Sequence, residues 1–357
     1  VRFALSDEQI EFRDAVRSLL DDTCGPDDIR AAWSDPVLAG GGPGGGDGRV
    51  RGAWSALGEM GVLGICVPEA HGGLGMTDED LVPLLIEVGR AGLPDPVSST
   101  AGVAVGLLRD HAAAGVAAEW LPRLAAGELA VGVGFGPDRD GGGSPTVAAA
   151  AAVDAFLLFD RGEAHLVSPS AVELTPLESV DGARHLARVA WTPSDATAVV
   201  GGAAGGDGFA ATNAAFDRAA LGAAAMLVGL SQRMLAITVL YATERQQFGV
   251  PIGSFQAVKH HLADASLAVE FAQPLVLRAA NSLALGDPEA PAHVSMAKAK
   301  ASEAAKAAAA TSLQVHGAIG YTVECDLHLY MKRAWALAVR YGDAEFHRRR
   351  IRGGLIG

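Results

Sequence analysis

The sequence predicts a mostly helical α+β protein in which a small β unit lies between two helical regions. Three textures carry this expectation. Residues 1–125 place apolar side chains at helical spacing. Residues 126–205 break into short β-compatible runs separated by Gly, Pro and Asp. Residues 206–357 return to long helical patterns. The expected division is an N-terminal α-helical domain over 1–125, a shortened, antiparallel middle β-barrel or sandwich over 126–205, and a C-terminal four-helix bundle domain over 206–357.

Along the chain, Ser6 followed by Asp7 and Glu8 opens an acid-rich first turn, with Ile10, Phe12, Val16, Leu19 and Leu20 as the apolar stripe. The stretch "LAGGGPGGGDG" (39–49) reads as a flexible loop. Residues 53–92 read as helix, short extended piece, glycine turn and helix, with Thr77 as an N-cap and Asp80 three residues on. In the middle region "ELAVGVGFG", "AAVDAFLLFD", "EAHLVSP" and "HLARVAWT" are the strand candidates. Four helices follow, at roughly 213–247, 254–285, 291–316 and 325–340. Between the first two, Gly249 supplies a left-handed stop, Pro251 blocks continuation and Ser254 reads as the next N-cap. There is no strand–glycine–helix phosphate loop despite 45 glycines.

Composition narrows the function classes. The 357 residues are half hydrophobic and 19% charged, which supports a sizeable core and argues against disorder. A formal charge of −13 without a basic stripe disfavours nucleic acid and anionic membrane as partners. Cys24, Cys66 and Cys325 lack paired spacing, so no metal site is expected and they read as reduced, buried thiols of a cytoplasmic protein. The N-terminal stretch is an amphipathic helix rather than a secretory signal, and no run of 18 apolar residues suggests a membrane span. His260, His261 and His316 fall on helices without metal spacing, and His71 and His347 stand alone as solvated or core residues. The small residues of "ALGAAAMLVGL" either widen a pocket or serve close helix packing, the second being favoured.

The segment "ERQQFG" (244–249) contains more chemistry than a helix stop requires. Read alone, Arg245 complements the negative end of a helix dipole and Phe248 plugs a core gap. In context, three stretches together resemble the acyl-CoA dehydrogenase family over nearly the whole chain. They are "WSALGEMGVLGICVPEAHGGLGMTDEDLVPLLIEVGRAG", the run from "GDGFAATNAAFDRAAL" to "GSFQAVKHHLAD", and "LQVHGAIGYTVECDLHLYMKRAW" with its Gln-x-x-Gly-x-x-Gly-aromatic pattern. The resemblance implies FAD-dependent α,β-dehydrogenation of an acyl-CoA thioester, in which a glutamate removes the α-proton and the β-hydrogen leaves as hydride to the flavin. It also implies a flavin at a subunit interface, its ring held by one subunit's β-domain and its pyrophosphate and adenosine held partly by the neighbour. On that resemblance Arg245 offers a planar fork to the pyrophosphate, Phe248 packs beside the cofactor, and Gln256 bonds toward the adenosine end. Gln314, Gly317 and Gly320 line the adenosine part, where glycine admits close backbone approach.

Three departures from the family pattern point one way. The family's Tyr-Glu-Gly-Thr segment corresponds to Tyr341-Gly342, so the position of the glutamate is empty. The alternative base of a minority of members falls on Ala219, with Ala220 in place of the following arginine. No catalytic residue is therefore expected, with Asp343 and Asp217 as weak fallbacks. The flavin-ring loop becomes "VGVGFGPDRDGGGSP" (131–145) without its hydroxyl, and the Trp-Ile-Thr segment becomes "EAHLVSP", leaving Ser168 as a residual hydroxyl or a surface serine. The threonine that contacts the pyrophosphate in cis corresponds to Ala344. This division resembles the α2β2 actinobacterial acyl-CoA dehydrogenases, some acting on steroid side chains, and implies an accessory-type subunit that shares FAD with a second dehydrogenase subunit and serves an acyl-CoA substrate. The alternatives are a self-sufficient homo-oligomeric dehydrogenase with a displaced base, and a flavin-free structural or acyl-CoA-binding subunit.

Overall fold

A computed structural model describes residues 5–35, 45–136 and 144–356. The chain begins with α1 (Asp7–Thr23), whose N-cap Ser6 accepts from the Gln9 amide while the Gln9 side chain returns to the Ser6 N–H, a reciprocal cap. After α2 (Pro26–Ala31) and α3 (Arg51–Glu59), the piece expected to be extended is instead a string of buried turns closed by short-range bonds such as Val67 N–H to Gly64 O. Most of the glycine-rich stretch at 39–49 lies outside the described residues. Helix α4 (Asp78–Ala91) starts at Thr77 with Asp80 completing the expected capping box. A π-helical turn (Ser98–Ala104), α5 (Val105–His111) and α6 (Ala114–Ala125) follow.

The middle region holds two small sheets. Strands β1 (Val131–Gly134), β3 (Ala155–Asp160), β4 (Glu163–Val167) and β7 (Ala198–Val200) form the first, in that order. Strands β2 (Thr146–Val147), β6 (Ala187–Ala190) and β5 (Glu173–Pro176) form the second. The unit is a sandwich, but β1 pairs with β3 in parallel where an antiparallel unit was expected. Alternation along β3 explains how it is buried on both faces. Phe156 and Leu158 enter the inter-sheet core with Val147 and Val189, while Leu157 and Phe159 join the large helical core.

The C-terminal part is built on α7 (Gly208–Glu244), α8 (Gln256–Ala284), α9 (Ala290–His316) and α10 (Leu327–Val339), all at expected places. A further helix, α11 (Ala344–Ile356), has too few apolar residues to stand out in sequence and is opened by Asp343, whose carboxylate accepts from Phe346 N–H at 2.8 Å. Helix α7 is long and apolar enough to cross a membrane by length and composition, although no such span was expected from apolar runs. Most of its apolar window, 61%, is buried in the protein, as in a core helix. Helices α4 and α7 approach closely enough that a Cβ on Gly229 would lie 1.8 Å from Ile86 O, and one on Gly89 would lie 2.2 Å from Met226 O. These positions admit only glycine.

The join between α7 and α8 departs from expectation in one detail. Ser254 is not the N-cap, because residues Ile252–Ser254 make a 3-10 turn and Phe255 takes the capping position. The Ser254 hydroxyl instead donates to Pro251 O at 2.7 Å.

Candidate functional site

Six residues singled out by sequence converge on one end of the helical bundle. The last turn of α7 stands beside the last turn of α9 because the Tyr241 ring stacks on His316 at 4.4 Å and its hydroxyl donates to His316 O at 3.4 Å. Arg245, Phe248 and Gln256 therefore share an end of the bundle with Gln314, Gly317 and Gly320. Arg245 caps α7 and is exposed, with no ion pair among the described residues. Gln314 and Gln256 are also exposed, and the Gln256 carbonyl oxygen takes a contact from His260 Nε2 at 3.2 Å. Gly317 ends α9 at φ +63° with open space where a Cβ would stand, whereas Gly320 is buried against Leu313 and His316.

Between α7 and α8, β8 (Gln246–Gln247) and β9 (Val250–Pro251) make a minimal hairpin. Its two turn residues are Phe248 at φ +55° and Gly249 at φ +79°. Gly249 adopts this conformation freely, but a bulky residue at positive φ is uncommon and strained. Phe248 is moreover 93% exposed, which overturns its reading as a core plug, and touches the Phe255 ring edge-on at 6.2 Å. Val239, Leu240, Leu267 and Phe271 extend this exposed apolar face along α7 and α8. A strained aromatic pointing at solvent is costly for an isolated chain, so its energetic sense lies in something that covers it.

A second feature is a partly open cavity of about 80 Å³ between the sandwich, the turn before α5, α7 and α10. Ala219, Ala223 and Met226 on α7 give it an apolar wall, at spacings of four and three that keep them on one face. Ala219, where the resemblance led us to expect the alternative base, presents a methyl group to the cavity. The small residues of α7 serve both expected purposes, since the alanines line the cavity while Gly229 serves packing.

Tyr341 reaches the cavity from the strap between α10 and α11. Three contacts hold this strap. The buried ammonium of Lys298, which burial pushes down to about 7, donates to Ser302 Oγ, Ala338 O and Gly342 O at 3.0–3.1 Å. Arg340 donates to Thr146 Oγ1 at 2.7 Å and to Thr146 O at 2.6 Å, and its guanidinium lies over the Tyr341 ring. Phe135, on the sheet side, meets Tyr341 edge-on at 5.9 Å and Phe216 at 5.4 Å.

Sequence reasoning missed the charged lining of this cavity. Asp95 and Asp181 are its carboxylates among the described residues. Asp95 is paired with Arg49 and accepts from Val50 N–H at 2.7 Å. Asp181 accepts from Arg333 Nε at 2.9 Å and from Ala183 N–H at 3.2 Å. Neither is free to take a proton from a ligand. Asp343 is exposed and occupied as the cap of α11, a backbone bond that holds its carboxyl below the usual range. Asp217 is buried in an ion pair with Arg350 on α11 and is not part of the cavity lining. Ser168 is exposed and caps a 3-10 turn. Part of the flavin-ring loop expected at 131–145 falls on 137–143, outside the described residues. No cluster of metal-ligating side chains exists among the described residues, and Cys24 and Cys66 are buried free thiols while Cys325 is half-buried.

Comparison with known proteins gives a consistent result. The description "Acyl-CoA dehydrogenase, N-terminal domain" matches residues 6–128, and "Acyl-CoA dehydrogenase, C-terminal domain" matches 206–356. The chain is 32% identical to acyl-CoA dehydrogenase IpdE2 of Mycobacterium tuberculosis over 92% of its own length and 91% of that protein's. It is 31% identical to IpdE2 of Mycolicibacterium smegmatis over 97% and 98% of the two chains. Among solved structures, a chain of the ChsE4-ChsE5 complex from Mycobacterium tuberculosis superposes with a TM-score of 0.84 at 23% identity, covering 100% of this chain and 99% of that one.

Proposed function

Because the chain belongs to the acyl-CoA dehydrogenase family of FAD-dependent oxidoreductases, we propose that it acts as the accessory subunit of a heteromeric acyl-CoA dehydrogenase. In this reading it contributes the pyrophosphate and adenosine half of a FAD site that a second subunit completes. FAD, when bound, accepts the hydride that leaves the β-carbon of the acyl thioester. The observation that carries the reading is the end of the bundle, where Arg245 is exposed without an ion pair among the described residues and Phe248 is held strained and exposed beside it.

These residues fit the distal half of the cofactor. The Arg245 fork matches two phosphate oxygens, Phe248 offers an apolar face, and Gly317 leaves room for close approach at the foot of α9. The residues expected at the places of the base in cis do not fit in the same way. Ala219 cannot accept a proton, Gly342 stands where the glutamate would be, and the lining carboxylates Asp95 and Asp181 are held in ion pairs. The base that takes the α-proton is then supplied by the partner, and this chain's Tyr341 cavity is spare. The existence of a heteromeric complex among the structural neighbours supports this assembly.

The test is Arg245→Ala in the assembled complex. Loss of a charge-assisted hydrogen-bonding group typically removes about 1.5–3 kcal/mol, so FAD affinity should fall by about one to two decades while the subunit stays folded. Arg245→Lys should restore only part, since the ammonium keeps the charge and loses the fork. If Arg245 merely complements the helix dipole, Lys is silent and Ala lowers the melting temperature slightly with flavin affinity untouched. Titration of FAD into each apo-complex, beside a thermal melt, separates the two.

A further inference from the structure

Lys298, on α9, lies fully buried beneath the strap that joins α10 to α11. No carboxylate stands within ion-pair range of it among the described residues, and its nitrogen meets three neutral oxygens, Ser302 Oγ at 3.1 Å and Ala338 O and Gly342 O at 3.0 Å. The strap it grips is strained. Tyr341 sits at φ +56°, a left-handed conformation that bulky side chains rarely enter, and Gly342 follows at φ +91°. A second buried base holds the same segment, since His347 Nε2 donates to Tyr341 O at 2.9 Å.

A neutral amine suits this place better than an ammonium. The amine donates to Ala338 O and Gly342 O and has its lone pair free for the Ser302 hydroxyl, which otherwise turns to Ala338 O at 3.3 Å. The ammonium also finds three acceptors, but it holds a full charge in a dry site without a counter-ion, and release of the strap would hydrate it. Burial accordingly pushes Lys298 down from 10.5 to about 7, with Asp343 at the start of α11 opposing and Lys306 on α9 adding to the shift. The other charged or titratable groups facing this place are His347 and Arg350 on α11, the latter paired with Asp217 of α7. Arg340, at the end of α10, is turned to Thr146. Arg184, Arg340 and Tyr341 line both the cavity beside α7 and an outer groove of about 390 Å³, so the strap forms part of the wall between the two.

We propose that this strap is a proton-operated gate, in which proton uptake on Lys298 releases residues 340–342, lets Tyr341 leave its strained conformation, and joins the cavity to the outer groove. With Lys298 at about 7 beneath the closed strap and near its ordinary 10.5 once hydrated, the released strap binds the proton more tightly. The open-to-closed ratio therefore rises by up to about tenfold for each unit that the pH falls between these values, and levels off below 7. His347 acts in the same direction at lower pH, because its buried ring refuses a proton that a hydrated ring accepts. The gate uses this chain's own residues and does not depend on which subunit completes a flavin site.

Hydrogen exchange of the purified chain tests the gate, read on peptides spanning 336–350 at pH 9, 8 and 7 and corrected for the intrinsic pH dependence of exchange. Opening should increase at least about tenfold from pH 9 to pH 7. Because release is local, these amides should also exchange at least about tenfold faster than those of the buried helix α4 at each pH. Lys298→Met, which has nothing to titrate, should flatten the profile. In a Cys325→Ser background, Ala223→Cys places a thiol on the cavity wall, and its modification by a neutral disulfide reagent, corrected for thiolate fraction, should quicken over the same pH range. The exchange profile with lysine in place and the thiol access together decide the matter even if Lys298→Met does not fold. Opening that is independent of pH, exchange no faster than in α4, or an unchanged profile in a folded Lys298→Met protein overturns the proposal, as does strap release without a gain in thiol access.

Discussion

At the scale of single residues, His347 shows how burial turns an unremarkable side chain into a pH-dependent element. The residue reads in sequence as an isolated histidine, yet it is fully buried between α7 and the strap, where Nε2 donates to Tyr341 O at 2.9 Å and Nδ1 has no partner. Burial, reinforced by Lys298, pushes it down to about 4 from an ordinary 6.5. The unfolded chain therefore binds a proton between those values that the folded chain refuses, so this contribution to stability is present above pH 6.5 and is lost as the pH falls toward 4. At about 1.4 kcal/mol per pKa unit the loss across the window is about 3 kcal/mol. His347→Gln keeps an N–H for Tyr341 O and does not titrate, so urea unfolding at pH 7 and pH 4.5 should show a smaller acid loss in the variant. Equal acid losses in both proteins would place the sensitivity elsewhere.

At the scale of elements, the β8–β9 hairpin carries the clearest conflict between local preference and observed conformation. Its two-residue turn demands positive φ at both central positions, which Asn-Gly supplies and Phe-Gly does not. Phe248→Asn should stabilise the isolated chain by about 1 kcal/mol, by relieving the left-handed strain and removing an exposed ring. The same change should weaken FAD retention or assembly with the second subunit. Unfolding of the lone chain and FAD titration of the complex measure the two effects. A less stable lone chain would mean that Phe248 works within the monomer through Phe255. Elsewhere the elements obey their local signals, as the caps at Ser6 and Thr77 show. Helix α11 escaped notice because its stability comes from the Asp343 cap and contacts with α9 rather than from an apolar stripe.

For the whole molecule, the proposal is a matter of which half-sites the chain keeps. It keeps donors and an exposed aromatic at the foot of the bundle and, among the described residues, lacks a free base in its own cavity. Expressed alone, the chain should therefore purify with well under one FAD per subunit, and co-expression with the second dehydrogenase subunit should bring flavin into the complex. Absorbance in the flavin bands against protein concentration reads this directly. Stoichiometric flavin in the lone chain, reduced by an acyl-CoA, would favour a self-sufficient enzyme, and no flavin in either preparation would favour a structural subunit.

The sequence by itself determined the order of helical and β textures and the family, because these depend on local periodicity and on which side chains exist. Arg245, Gln314 and Gly317 were legible as motif positions, but the common end they occupy depends on the Tyr241–His316 contact across 75 residues. The parallel pairing of β1 with β3 was equally beyond the sequence, since alternation reports which faces are buried and not which neighbour provides the hydrogen bonds. Tertiary structure alone decided that Asp217 and Asp181 are consumed by arginines over 130 residues away. A charged side chain in a sequence carries no mark of its partner. Whether it is a bridge or an unfilled site is set only when the chain brings, or fails to bring, an opposite charge within reach.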